Sequence, residues 1–96
     1  MSGSGSQRAV REQEASKLSI SGVDINGKQF QEESNTIDIS EDGISFYLKT
    51  PVWMDGHLTL EIRSSTLLGP SSVVKAKVVR FGRVVDGRRF IGARFD

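Results

Sequence analysis

VVKAKVVRFGRVVDGRRFIGARF, residues 73–95, decides the fold class. Val74, Ala76 and Val78 alternate with Lys75 and Lys77, so apolar groups share one face of an extended chain and ammonium groups the other. Asp86-Gly87 then supplies a hairpin signal, because both residue types accept positive φ. Arg88 to Phe95 returns, with Phe90 and Phe95 as its bulky positions. Two strands joined by a tight turn run antiparallel, and a period of two over this length excludes an amphipathic helix here.

The same pattern extends upstream. His57 to Arg63 (HLTLEIR) alternates with Leu58, Leu60 and Ile62 inward. Leu18 and Ile20 alternate with Lys17, Ser19 and Ser21, and Asn26-Gly27 stands between VDI and KQF as another hairpin signal. The return strand is predicted from Gln29 to about Asn35, after which Thr36, Ile37 and Ile39 carry the chain to Ser40. Glu41-Asp42-Gly43 makes a turn, Ile44 to Leu48 a strand ended by Thr50-Pro51, and Asp55-Gly56 a further turn. Ser64 to Ser72 (SSTLLGPSS) reads as a loop with Gly69-Pro70 as its breaker. Short strands separated by glycine turns point to an antiparallel sandwich or closed barrel, and closure removes the edges a small sheet would expose. The barrel is expected over residues 17–96. Residues 1–6 (MSGSGS) read as a flexible tail or tag remnant, and residues 7–16 (QRAVREQEAS) as a polar N-terminal arm.

Composition narrows the function. At 96 residues the chain supports one core. It has no cysteine, which removes disulfides, thiolate metal sites and cysteine nucleophiles, and its one histidine, His57, flanks a turn. No P-loop and no nucleophile elbow is present. A non-enzymatic binding module without cofactor or metal is expected, with the cytoplasm as default compartment. The net charge of +1 conceals a division: Glu12 to Glu61 holds three cations and ten acids, Ile62 to Asp96 eight cations and two acids. Opposite charges on neighbouring strands are expected to cancel much of it. Trp53, in Pro51-Val52-Trp53-Met54, suits either a core plug or a partner anchor, and partial burial near a barrel end is expected.

The chemically informative segment is Asp38-Ile39-Ser40-Glu41-Asp42-Gly43. With Ile39 pointing inward, Asp38 and Ser40 project together on the opposite face, and Gly43 allows a turn or a close approach. Local capping by these side chains explains the pattern equally well when it is taken alone.

At this point the chain resembles the PilZ domain family, the bacterial receptor module for cyclic di-GMP. That family joins an N-terminal Arg-x-x-x-Arg element to a downstream [Asp/Asn]-x-Ser-x-x-Gly motif on a small antiparallel barrel. Asp38, Ser40 and Gly43 match the second motif, and the preceding hairpin and the closing Ile91-Gly92-Ala93-Arg94-Phe95 are similar too. The first motif departs: Arg11 is placed to be its second arginine, but residue 7 is glutamine and Arg8 stands beside it. Either Arg8 substitutes, or the site binds weakly, or the ligand has been lost. The resemblance implies a six-stranded barrel with a flexible arm that binds cyclic di-GMP through Arg8, Arg11, Asp38, Ser40 and Gly43. Guanidinium groups suit phosphate oxygens and the O6/N7 edge of guanine, and stack on its face. It further implies a protein partner or neighbouring domain that reads ordering of the arm, with no role for membrane. The alternatives are a degenerate adaptor that binds protein without nucleotide, and a small oligonucleotide-binding barrel. The latter needs clustered stacking aromatics, whereas the seven here are dispersed.

Overall fold

The computed structural model describes residues 16–65 and 69–96. Six strands follow in order: β1 (Lys17–Val23), β2 (Gln29–Ile39), β3 (Gly43–Leu48), β4 (His57–Ser65), β5 (Gly69–Val85) and β6 (Arg88–Phe95). They close into an antiparallel barrel in the order β1-β2-β3-β6-β5-β4. The readings of residues 1–6 and 7–15 lie outside the described residues.

The core is the sum of the alternating faces. Leu18 and Ile20, Ile39, Ile44, Phe46 and Leu48, Leu58, Leu60 and Ile62, Ala76 and Val78, and Ile91 and Ala93 are all buried. Each strand thus contributes apolar side chains to a common interior, and their removal from water is the main force holding the barrel shut. Strand β2 is the exception in chemistry. Ser34 and Thr36 face Leu18 and Phe46 in register, and both are buried. Their hydroxyls are satisfied: Ser34 Oγ donates to the Tyr47 carbonyl at 2.8 Å, and Thr36 Oγ1 accepts from the Ser16 amide at 2.8 Å.

One hairpin turn matches its sequence reading, and two other connections differ. Asp86 and Gly87 both have positive φ, 53° and 78°, as a two-residue hairpin between Val85 and Arg88 requires. Between β1 and β2 the loop is longer than the Asn-Gly signal implied. Only Gly27 has positive φ, and Asp24 organises the loop through Oδ1, which accepts from the amides of Asn26 and Lys28. The predicted loop over residues 64–72 is largely ladder: Ile62 pairs with Ser72, Arg63 with Ser71 and Ser65 with Gly69, which leaves only residues 66–68 outside the description. Serine-rich segments can pair on the outside of a barrel because ladder bonds need only backbone.

The expected cancellation of charge does not follow from the topology. Strand β6 inserts between β3 and β5, so the two basic strands lie side by side, and Lys77 is registered with both Arg94 and His57. Acidic β2 lies instead between β1 and β3. No helix among the described residues is long and apolar enough to cross a membrane.

Candidate ligand-binding site

A β-bulge creates the site. Along β2, inward positions recur at every second residue through Thr36, and unbroken alternation would send Asp38 into the core. Thr36 pairs with Phe46 but Asp38 pairs with Ser45, so two steps on β2 match one on β3 and Ile37 is the extra residue. The bulge returns Ile39 to the core and turns Asp38 outward, with Oδ1 shut away from solvent.

A matching irregularity lies on β5, with β3 and β6 between it and β2. Val78 pairs with Ala93 and Arg80 with Gly92, which makes Val79 the extra residue on β5. Ser45 also pairs with Gly92. Asp38, Ser45, Gly92 and Arg80 therefore form one outward row across β2, β3, β6 and β5. Gly92 keeps the middle of the row low. A Cβ built there would lie 3.5 Å from Arg80 Nε and 3.8 Å from Nη2, so the guanidinium stem lies across the glycine. The Arg80 Cζ also sits 5.3 Å from the centroid of the Phe90 ring, in cation–π range.

The row and the β2–β3 turn enclose an open cleft of about 320 Å³ lined by Asp38, Ser40, Gly43, Ser45, Arg80 and Gly92, with Ile44, Val79 and Ala93. Ser40 Oγ accepts long bonds of 3.3 Å from the amides of Asp42 and Gly43. These are the local capping contacts of such turns, near the outer limit of hydrogen-bond length. Gly43 is glycine for want of room. It has no positive φ, but a Cβ there would be driven into the carbonyl oxygen of Ala93 on β6. The cleft thus offers one carboxylate, two hydroxyls and one guanidinium around an apolar floor. Such a set can hold a ligand that carries anionic oxygens and N–H donors.

Three of the five sequence-predicted site residues, Asp38, Ser40 and Gly43, meet in this cleft. Arg8 and Arg11 lie outside the described residues. Their chain enters beside the site: Ser16 is bonded to Thr36 in both directions, two residues before Asp38 on β2. Arg80, Ser45 and Gly92 also line the cleft, and the sequence reading names none of them as a site residue. The glycine in Ile91-Gly92-Ala93 was a usable signal, but the bulge that aligns Arg80 with it was not.

Away from the cleft, His57 lies 3.9 Å from Asp96, and no group of three or more metal-ligating side chains occurs among the described residues. Trp53 contradicts the expected partial burial. It is 63% exposed, because Val52 fills the barrel end and the Trp53–Gly56 turn, with Asp55 at positive φ, carries the indole outward.

No protein-family model and no curated protein matches the sequence. Among solved structures, the fold is similar to that of the Bacillus subtilis inhibitor of motility (MotI/DgrA), with a TM-score of 0.69 and 17% identity. The match covers 94% of this chain and 42% of that one, so the chain spans less than half of this neighbour's length. At that identity the likeness is one of fold, and the fold is that of a small PilZ-like barrel.

Proposed function

We propose that this chain is a non-enzymatic, cytoplasmic regulatory module that binds cyclic di-GMP. The observation that carries the reading is the convergence of Asp38, Ser40 and Gly43 on one cleft beside the point where the arginine-bearing segment enters the barrel. In this reading Arg8 and Arg11 hold the phosphates and a guanine edge, and Asp38 accepts from the ligand's N–H donors or orients an arginine. Arg80 adds a guanidinium from the opposite wall of the cleft, which offsets part of the loss at Gln7. The ligand draws the segment ahead of Ser16 onto the barrel, and the surface so formed is the signal that a partner protein or neighbouring domain reads. Ordering that segment costs ~1–2 kcal/mol per residue, so affinity depends steeply on each charged anchor.

Calorimetric titration with cyclic di-GMP, with cyclic di-AMP as control, tests this. Saturable binding of the guanine ligand alone is expected. Absence of heat with either ligand favours the adaptor reading, whose supporting observation is Gln7 in place of the expected arginine. Salt-sensitive binding of single-stranded oligonucleotides without preference for the cyclic dinucleotide favours the third reading.

A further inference from the structure

The end of the barrel bearing the β1–β2 and β5–β6 hairpins carries a second concavity, of about 530 Å³. Leu48, Val52 and Ile91 of the core lie at its base, and Trp53, Met54 and Val84 are exposed around it. An exposed tryptophan beside an exposed methionine and valine is a costly surface for a domain of this size unless something covers it. The walls are held in place. Glu32 accepts from the Lys49 amide at 2.7 Å, the Thr50 amide at 3.0 Å and the Thr50 hydroxyl at 2.7 Å, and Ile25 donates its amide to the Pro51 carbonyl. One carboxylate thereby fixes the start of the loop that presents Trp53.

The charges on this groove have one sign. Lys49 and Arg89 line it, and no carboxylate does. Arg89 is held with its Cζ 5.4 Å from the Phe81 ring, so the guanidinium that lines the groove is braced on an aromatic face. The nearby acids lie outside the lining: Asp24, Asp55 and Asp86 belong to turns, and Glu32 is engaged by the amides of Lys49 and Thr50 behind the wall. A concave apolar floor takes inserted side chains, whereas a bilayer would need a protruding tip.

We infer that this groove docks an acidic amphipathic segment of a partner protein, whose apolar side chains enter between Trp53 and Val84 while its carboxylates meet Lys49 and Arg89. Tryptophan and arginine are the residue types that most often dominate such contacts. The inference is independent of the nucleotide reading, since no residue lines both concavities.

The test is selection of random-sequence displayed peptides on the intact domain, followed by titration of an enriched synthetic peptide. Trp53 is the sole tryptophan of the chain, so its emission reports directly on the groove. Enriched peptides should combine large apolar residues with Asp and Glu, and should shift Trp53 emission to the blue. Labelled-peptide anisotropy should show affinity falling at least about tenfold in Trp53→Ala and in Lys49→Glu/Arg89→Glu, and unchanged in Arg80→Ala. Circular dichroism confirms that each variant is folded, which is expected because all four side chains are exposed. The inference is overturned if no peptide is enriched, if enriched peptides are neutral or basic, or if their binding ignores the Trp53 and Lys49/Arg89 variants. It is equally overturned if Trp53 responds to phosphatidylglycerol vesicles in place of peptide, or to protein concentration alone, which would make the groove a membrane or self-association surface.

Discussion

Replacing Gly43 by alanine tests whether the cleft's geometry depends on close approach of β3 and β6. Gly43 pairs with Arg94, and its carbonyl accepts from the Ser40 amide at 2.9 Å to close the turn between Ile39 and Ile44. An added methyl meets the Ala93 carbonyl oxygen, a backbone atom with no rotamer to escape into. The strands must separate locally, and overpacking of this kind costs ~1–3 kcal/mol. For a domain of about 60–100 residues each kcal/mol lowers Tm by roughly 4–8 °C, so a cost near 2 kcal/mol lowers it by about 8–16 °C. Thermal unfolding followed by circular dichroism measures this. Gly27 is the informative control. A Cβ there has nothing within 4 Å, but φ is +82°, so alanine is penalised by backbone conformation alone. Asparagine, which tolerates that region, should recover much of the loss at position 27 and none at position 43. A Gly43→Ala variant within about 0.5 kcal/mol of the parent would refute the close-approach argument.

Thr36→Val removes the acceptor of the buried Ser16 amide and should cost about 1–3 kcal/mol in denaturant unfolding. Glu32→Ala releases two amides and a hydroxyl of the Lys49–Thr50 turn, and should both lower Tm and speed amide exchange at those two residues. In calorimetry with cyclic di-GMP, Arg11→Ala should abolish binding, Arg8→Ala should weaken it less, and Arg80→Ala should weaken it while costing the fold no more than about 0.5–1 kcal/mol, the worth of its exposed contact with Phe90. Gln7→Arg should tighten it by about ten- to a hundredfold, the worth of one charge-assisted contact of roughly 1.5–3 kcal/mol. If Gln7→Arg changes nothing while Arg8→Ala eliminates binding, Arg8 is the first anchor.

The barrel was legible where strands bury hydrocarbon on one face. HLTLEIR and VVKAKV alternate cleanly, and Leu58, Leu60, Ile62, Ala76 and Val78 are all in the core. Strand β2 was harder to read as one element because its inward positions include Ser34 and Thr36, buried through hydrogen bonds that no periodicity reveals. The site was legible only in part. Asp38, Ser40 and Gly43 stand out through their match to the PilZ-family motif and not through spacing alone, whereas Arg80 has no such mark, because its place opposite Gly92 depends on the extra residue Val79. Bulges shift a strand's facing by one residue and leave no compositional mark. The exposure of Trp53 was likewise a property of the turn that carries it and not of the residue type.

Amide-resolved NMR during titration with cyclic di-GMP tests the central claim most directly. The account predicts saturable shifts at Asp38, Ser40, Gly43, Ser45, Arg80 and Gly92, with the Trp53 indole at the opposite end of the barrel unmoved and cyclic di-AMP without effect. Absence of shifts around the cleft at saturating ligand, or shifts centred on Trp53, would contradict it.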